Sequence, residues 1–336
     1  MENGLDRLTD MARGFAVSRL LLTAVELEVF TRLGRGPASR ARLQEELGLH
    51  PRGAGAFLDA LVAHGLLERS GELYTNSPLA ARHLDREGAE EYIGGYLVLT
   101  SGLYWLWPAL PHSLATGRPC TGMPGAEEAE DGEGAQEAPT EWSPAYVDAM
   151  AVMGRRAAHG IAASLDWTRM DTFVDVGGSA GTLARELVRC HPHLRGVCFD
   201  LPQLREAFDG ASGDGDGVTF AAGDFFQDPI PQADAAVLGR ILHNWSPEER
   251  ADLLKRVCAA VRPGGAVLVF DQLVQEDPEN GRHALLSSLD QLLFSEGGGE
   301  YSFAELCGWL DAAGFRDPVC VPLNGGPERL VVARRP

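Results

Sequence analysis

The chain has 336 residues, of which 45% are hydrophobic, and its 29 basic and 48 acidic residues give a formal net charge of −19. A chain this acidic repels phosphate backbones, which argues against a nucleic-acid partner. No apolar run approaches the ~18 residues that span a bilayer, and the N-terminus lacks the pattern of a signal peptide. We therefore expect a cytoplasmic globular protein without membrane contact.

The N-terminal part has the pattern of a small, mainly helical domain. Apolar residues at helical spacing between positions 5 and 33 predict two helices, whose apolar faces exceed what one small domain buries. A helix–turn–helix follows at 38–64, and two short strands at 66–69 and 72–75 complete a winged-helix pattern. We assign residues 1–100 to this winged-helix-like domain and expect it to form a homodimer.

A non-catalytic, DNA-binding regulator is the alternative interpretation of a winged helix. Residues 1–88 contain 11 Arg against 12 Asp and Glu, so the domain is slightly acidic. Its second helix offers Arg52, Asp59 and His64, which are a poor set for binding phosphates. The composition therefore favours a structural, dimerising role.

The middle of the chain, residues 101–165, is predicted to be a helical linker. Its first part belongs to an apolar and aromatic stretch at 89–124, which is typical of helices. The segment 125–142 then carries seven acidic residues and no basic one, which predicts a solvated loop. A metal or cationic-partner site is the alternative for this acidic segment.

From residue 166 to the end at 336, short β-rich runs alternate with helical segments. Strands are predicted at 172–176, 195–200, 218–222, 235–239, 266–271, 317–322 and 328–334. Helices are predicted at 180–190, 202–209, 247–261, 283–295 and 302–313. This alternation indicates an α/β domain with a doubly wound, mostly parallel sheet.

The strongest local motif follows the first of these strands. The segment Val174–Gly181 reads VDVGGSAG, and glycines at a strand-to-helix turn let a ligand approach the backbone. No register supplies the GxGxxG spacing of a dinucleotide site. Asp175 lies two positions before the first glycine, where a carboxylate suits a cationic ligand better than a pyrophosphate. The motif therefore favours S-adenosylmethionine over other nucleotides.

Two further strands end in residues suited to the same cofactor. Asp200 closes the second strand, where its carboxylate can accept hydrogen bonds from both ribose hydroxyls. Asp224 and Phe225 follow the third strand and offer a carboxylate for an exocyclic amine and an aromatic face for adenine. Each is by itself compatible with a loop acid or a core aromatic residue. Three such positions at successive strand ends support one cofactor cleft.

A candidate catalytic group follows the fourth strand. His243 lies at the carboxyl end of that strand, and histidine can serve as a general base near neutral pH. Asp271 ends the next strand, and Glu300 follows a run of three glycines. Either carboxylate can orient the imidazole, as the acid of a catalytic triad does, and the sequence leaves both open.

Several motifs occur together along residues 10–335, in addition to the winged helix. They are Trp107…Leu114-Ala-Thr-Gly-Arg-Pro119, Asp175-Val-Gly-Gly178, Phe199-Asp-Leu-Pro202, Gly223-Asp-Phe-Phe226 and Leu242-His-Asn-Trp245. The combination resembles the small-molecule O-methyltransferases typified by plant caffeic acid, animal acetylserotonin and actinobacterial polyketide O-methyltransferases. The resemblance implies a class I methyltransferase fold, with a Rossmann-like sheet and an N-terminal dimerisation domain.

The resemblance also implies roles for individual residues. His243 is the implied catalytic base, flanked by Asp271 and Glu300; the family usually has Glu where this chain has the shorter Asp271. Ser179 stands where the family often has Gly. The implied cofactor-binding residues are Asp175, Gly177, Gly178, Gly181, Asp200, Leu201, Asp224, Phe225 and Arg240. The implied acceptor-binding residues are Trp107, Tyr146, Met150, Met153 and Asn244, which replaces a usual Asp; the helical ones are also compatible with plain helix core.

The implied function is S-adenosylmethionine-dependent methylation of a hydroxyl on an aromatic small molecule, in secondary metabolism such as antibiotic biosynthesis. The product of the cofactor is S-adenosylhomocysteine, and no metal ion is expected. N-methylation and cofactor-assisted decarboxylation or hydroxylation are alternatives on the same scaffold. An amine acceptor needs no base such as His243, so the presence of this residue favours O-methylation.

Overall fold

The computed structural model describes residues 4–120, 144–211, 217–277, 279, 281–323 and 326–336. It divides the chain into two compact units, Met1–Gly102 and Leu103–Pro336. The predicted acidic loop at 125–142 lies outside the described residues, and the separate linker at 101–165 stays a prediction.

The first unit contains the helix–turn–helix and the wing, as predicted. Its three strands form an antiparallel sheet in the order β1-β3-β2. Ser39 and Ser77 cap the helices that follow them by accepting hydrogen bonds from Arg42 N and Ala80 N. The strands are β1 (Ala38–Ser39), β2 (Leu67–Ser70) and β3 (Leu73–Asn76). The helices are α1 (Gly4–Glu26), α2 (Val29–Gly34), α3 (Arg40–Glu46), α4 (Pro51–Ala63) and α5 (Pro78–His83), and α6 (Gly94–Tyr104) contains the boundary between the units.

Helix α1 has two different halves. Its C-terminal half buries Leu22, Ala24 and Val25 in the core of the first unit. Its N-terminal half exposes four large apolar residues, each 60–69% accessible to solvent: Leu5, Leu8, Met11 and Phe15. An exposed apolar row of this kind marks an interaction surface. It agrees with the apolar excess that the sequence predicts for these helices.

The second unit is built on a seven-stranded sheet in the order β6-β5-β4-β7-β8-β10-β9. The five strands from β6 to β8 are parallel, and β10 pairs antiparallel with both β8 and β9. The strands are β4 (Thr172–Val176), β5 (Arg195–Asp200), β6 (Val218–Ala222), β7 (Ala233–Gly239), β8 (Val261–Asp271), β9 (Arg316–Pro322) and β10 (Arg329–Arg334). The doubly wound, mostly parallel α/β sheet is therefore confirmed.

Helices cover both faces of this sheet. In β4, Phe173 packs in one core cluster with Leu183 and Leu187, whereas Val174 packs in the other with Leu253. The helices are α7 (Leu110–Thr116), α8 (Pro144–Ala163), α9 (Thr182–Cys190), α10 (Arg205–Gly210), α11 (Pro247–Ala260), α12 (Arg282–Phe294) and α13 (Phe303–Ala313). Short 3-10 helices occur at Trp107–Ala109, Trp167–Arg169, Pro202–Leu204 and Leu242–Asn244.

The order of the strands predicts where a ligand binds. The chain builds the sheet outward from β4 to β5 and β6, and then returns to place β7 on the other side of β4. Loops leaving β4 and β7 diverge there, which creates a crevice outside the carboxyl ends of the strands.

Within the described residues, we find no helix whose length and hydropathy would suit a membrane span.

Candidate active site

A cavity of about 500 Å³ lies at this switch point, in the second unit. Eight of the nine predicted cofactor residues line it: Asp175, Gly177, Gly178, Asp200, Leu201, Asp224, Phe225 and Arg240. Four of the five predicted acceptor residues line it as well: Tyr146, Met150, Met153 and Asn244. Gly181, Trp107, His243, Asp271 and Glu300 are not among the lining residues.

The glycine turn after β4 brings backbone close to the cavity. Gly177 and Gly181 adopt left-handed φ angles of 74° and 71°, which favour glycine. A Cβ atom at Gly177 would lie 2.3 Å from the side chain of Ile241. Gly181 is the N-cap of α9, so it shapes the turn without lining the cavity.

Asp175 lies under this turn and is only 3% exposed. Burial, together with the charge of Asp200, raises the pKa of Asp175 to about 7, against the opposing effect of a hydrogen bond from the Ala184 amide. Within the described part of the chain, its Oδ2 has no hydrogen-bond partner. A buried carboxylate with an unpaired oxygen at a cavity wall favours a cationic ligand.

Asp200 connects the end of β5 to the glycine turn. Its Oδ2 accepts a hydrogen bond from Ser179 N at 2.7 Å, and its Oδ1 accepts one from Leu201 N at 2.7 Å. Ser179 has a φ of 52°, which is a left-handed conformation. Glycine, which the family often has at this position, adopts this conformation more easily. The two amide contacts fix the carboxylate at the cavity wall.

An aromatic wall follows β6. Asp224 Oδ1 accepts a hydrogen bond from Phe226 N at 2.8 Å, which closes the turn that presents Phe225. Phe225, Phe226 and Trp245 pack edge to face, with ring centroids 4.7–5.8 Å apart. All three rings line the cavity, and Phe226 and Trp245 were not among the predicted binding residues although they belong to the motifs.

Arg240 and Asn244 line the cavity after β7. Arg240 has a left-handed φ of 56°, and its backbone N donates to Phe270 O at 2.9 Å. Asn244 donates to Arg240 O at 3.2 Å and accepts from Gln291 Nε2 at 3.0 Å. Gln291 is buried on α12, and no sequence motif singled it out.

His243 is paired directly with Glu300. Its Nδ1 lies 2.9 Å from Glu300 Oε1, and the residue is 4% exposed. Ser287 donates to the same carboxylate oxygen at 2.7 Å, and Glu300 N donates to Ser288 Oγ at 3.1 Å. Burial acts to raise the pKa of Glu300, but the charge and hydrogen bond of His243, together with the charge of Arg240 and the hydrogen bond of Ser287, lower that pKa.

Asp271 makes a different contact. Its Oδ2 accepts a hydrogen bond from the Tyr301 hydroxyl at 2.6 Å. Burial and then the charge of Glu300 raise the pKa of Asp271 to about 6, against the effect of a charged His243. Of the two carboxylates that the sequence left open, Glu300 therefore makes the hydrogen bond to the imidazole.

His243, Asp271 and Glu300 also have the composition of a metal site. One ligand atom from each lies within 4.8 Å of the others. Because His243 Nδ1 and Glu300 Oε1 are at hydrogen-bond distance from each other, the arrangement favours an acid–base pair over metal ligands. The expectation that no metal is required stays a prediction.

The predicted acceptor residues separate into two places. Tyr146, Met150 and Met153 lie on one face of α8, at the spacing i, i+4, i+7, and face the cavity. Trp107 instead donates its indole N–H to Asp290 Oδ1 at 2.9 Å. Burial raises the pKa of Asp290 to about 6. A role for Trp107 in acceptor binding stays a prediction. No sequence motif singled out Asp290.

Comparison with family models identifies the chain. The O-methyltransferase domain matches residues 135–316, and the O-methyltransferase dimerisation domain matches residues 9–86. The chain belongs to the O-methyltransferase family. It is an S-adenosylmethionine-dependent enzyme of this family, and the dimerisation domain supports a homodimer.

Individual proteins agree with this assignment. The chain is 42% identical to the tetracenomycin polyketide synthesis 8-O-methyl transferase TcmO of Streptomyces glaucescens, over 98% of this chain and 96% of the relative. It is 35% identical to the N,N-dimethyltransferase OxyT of Streptomyces rimosus, over 92% and 90%. The crystal structure of human N-acetylserotonin methyltransferase in complex with SAM superposes with a TM-score of 0.87 at 28% identity, over 100% of this chain and 98% of that one.

The cavity fits S-adenosylmethionine by its own chemistry. The cofactor carries a sulfonium cation, and the wall contains a buried Asp175 oxygen that has no hydrogen-bond partner among the described residues. The cofactor also contains a nucleoside, for which the wall offers the Asp200 carboxylate and the ring of Phe225. The glycine turn leaves room where a Cβ atom would clash with its surroundings.

Proposed function

We propose that this enzyme methylates a hydroxyl group on an aromatic small molecule and that His243 is its general base. The pairing of His243 with Glu300 carries the proposal. Because a carboxylate only accepts hydrogen bonds, Nδ1 carries the proton in this contact, and Nε2 keeps a lone pair. Nε2 is then the atom that removes the proton of the acceptor.

A base is needed because a phenol, with a pKa near ~10, is mostly protonated at neutral pH. Proton removal makes its oxygen a stronger nucleophile. Glu300 then stabilises the imidazolium and holds the ring in one tautomer, which its buried position and the Ser287 hydrogen bond support. Asp271, whose Oδ2 accepts the Tyr301 hydroxyl, adds a second negative charge nearby.

The other predicted residues would bind and orient the reactants. S-adenosylmethionine supplies an electrophilic methyl group when it is bound. Asp200, Asp224, Phe225 and the turn from Gly177 to Gly181 would hold the cofactor, with Arg240 and Leu201 beside them. Alignment of donor and acceptor can contribute about 7–11 kcal/mol to catalysis.

The acceptor is proposed to be a flat aromatic compound of the polyketide type. Tyr146, Met150 and Met153 present an aromatic ring and two flexible thioethers to the cavity, a surface that adapts to such a ring. The relative TcmO is named as an 8-O-methyl transferase of polyketide synthesis, which supports the same acceptor class and a place in antibiotic biosynthesis.

N-methylation is the second candidate, because the relative OxyT is an N,N-dimethyltransferase. An amine with a free lone pair can be methylated without prior proton removal. The buried pair of His243 and Glu300 would then have no task in the reaction, and for that reason we favour the hydroxyl.

Acceptor pairs test the proposal. Purified enzyme and S-adenosylmethionine are incubated with aromatic hydroxy compounds. Each hydroxy compound is compared with two analogues of the same ring, one with an amine and one with hydrogen in place of the hydroxyl. Release of S-adenosylhomocysteine and a methyl ether from the hydroxy member alone are expected, and EDTA should leave the rate unchanged. Preferred methylation of the amine member would overturn the proposal.

A further inference from the structure

Arg250 is a buried cation beside the pair of His243 and Glu300, and the proposed mechanism gives this cation no role. It lies in the first turns of α11 and is 4% exposed. Leu253, Leu254 and Val257 are the other large side chains that this helix buries. An apolar residue is therefore the ordinary choice here, because a guanidinium loses its hydration on burial and needs its donors satisfied.

The donors of Arg250 reach two particular carbonyls. Its Nε donates to Leu242 O at 2.9 Å, and an Nη donates to Gly299 O. Leu242 directly precedes His243, and Gly299 directly precedes Glu300. One guanidinium thus bridges the two backbone segments that carry the base and its carboxylate. The same segments are joined once more by Gly299 N, which donates to His243 O at 2.8 Å.

Two aromatic rings also lie close to this guanidinium. Its carbon lies 4.8 Å from the ring centroid of Tyr301 and 5.2 Å from that of Trp309. Tyr301 follows Glu300 in the chain and donates its hydroxyl to Asp271. Arg250 therefore packs against the residue on one side of Glu300 and bonds the residue on the other side.

We propose that Arg250 is a positioning residue, which holds the backbone around the hydrogen bond between His243 and Glu300. The proposal rests on the proposed function, in which this pair moves the proton. Without the bridge, the loop that carries Glu300 is held to His243 by fewer bonds, and the imidazole loses its alignment. A displacement of about 1 Å in such a group can cost roughly 100-fold in rate.

The first test replaces Arg250 and compares turnover with binding. Arg250→Met keeps an apolar stem but removes the donors, so kcat should fall about 10- to 100-fold while the acceptor KM and the cofactor Kd change by less than about threefold. Arg250→Lys, which keeps the charge but cannot reach both carbonyls as a planar fork, should recover only part of the rate. Arg256→Met is the matched control on the same helix, because that side chain pairs with exposed Asp252.

The second test asks whether Arg250 acts through the pair. In a Glu300→Gln background the pair is already broken, so Arg250→Met should cost less than about threefold more. An equal loss in both backgrounds would show a general structural role and overturn the proposal. If Arg250→Met does not fold, as judged by its thermal melt, Arg250→Lys is carried through the same cycle.

A proton NMR spectrum gives a readout without any acceptor. The Nδ1 proton of His243, bonded to a carboxylate, should give a downfield resonance that is absent in His243→Ala. It should shift or broaden in Arg250→Met and persist in Arg256→Met. An unchanged resonance and kcat in Arg250→Met, with loss of turnover in His243→Ala, would overturn the positioning role alone. Full turnover in His243→Ala would instead overturn the base assignment.

Discussion

The cofactor cleft and the His243 cluster lie at one edge of the same sheet, but they are built from different kinds of contact. Asp224 accepts a hydrogen bond from an amide two residues along the chain, and Asp200 accepts one from the next residue and one from Ser179 N, 21 residues before it. His243 depends on Glu300, which is 57 residues away, and Asp271 on Tyr301, which is 30 residues away. The contacts at the cleft therefore join segments that are closer in sequence, whereas the His243 cluster joins buried groups from more distant segments.

This difference predicts separate consequences for the two carboxylates of the cluster. Glu300→Gln places an amide against Nδ1, which can favour the wrong tautomer, and kcat should fall by about 100-fold or more. Asp271→Asn leaves the bond between His243 and Glu300 in place, and kcat should fall by less than about 10-fold. Steady-state rates on the same acceptor compare the two. A larger loss in Asp271→Asn would mean that Glu300 is not the orienting group.

The cleft should respond in binding rather than in turnover. Asp200→Ala removes a carboxylate suited to ribose hydroxyls, so cofactor affinity should fall about 10- to 100-fold, the range expected for lost hydrogen bonds to a charged group. At saturating cofactor, kcat should stay within about threefold of the wild type. Titration calorimetry measures the affinity, and Asp209→Ala, an exposed acid on α10, is the control. An unchanged Kd would remove Asp200 from the site.

Asp175 should show the energetic cost of a buried charge. Its ordinary pKa of 3.8 rises to about 7 on folding, so between these values the folded protein binds a proton that the unfolded chain has released. Stability without cofactor therefore falls as the pH rises from about 4 to about 7. Asp175→Asn stays neutral, and at pH 8 it should be more stable than the wild type by about 2–4 kcal/mol.

Denaturant unfolding at pH 4 and pH 8 tests this, with exposed Asp209→Asn as the control. The gain at pH 8 should disappear at pH 4, where the wild-type carboxyl is also neutral. Asp271 contributes to the wild-type slope in the same direction, but it is present in both proteins and cancels in the comparison. A gain of equal size at both pH values would show that ionisation is not its cause.

The same contrast explains what could be predicted from the sequence. Strands β4, β5 and β6 begin and end at the predicted residues, because short apolar runs bounded by glycine and aspartate specify both strand and turn. The residues at their carboxyl ends share a cleft for the same reason. Among the predicted cofactor residues Gly181 was the exception, since it lies at the N-cap of α9 and shapes the turn without lining the cavity.

Contacts between distant segments could not be predicted in this way. Nothing in the sequence distinguishes Glu300 from Asp271 as the partner of His243, because the choice depends on how the loop before α13 packs. The contact of Trp107 with Asp290 spans 183 residues, and Arg250 lies in an ordinary amphipathic helix. Their roles follow only from which carbonyl or carboxylate the fold brings within reach.

The most direct measurement of the central claim is the rate of methyl transfer by His243→Ala, at saturating cofactor, on two acceptors of the same skeleton. With an ordinary phenol the rate should fall about 100- to 10,000-fold, while calorimetry shows cofactor affinity within a few-fold of the wild type. With an electron-poor phenol that is already ionised at the assay pH, most of the rate should return, because no proton has to be removed. His193→Ala, on the exposed turn before β5, is the control. Equal rates for wild type and His243→Ala on the ordinary phenol would contradict the account.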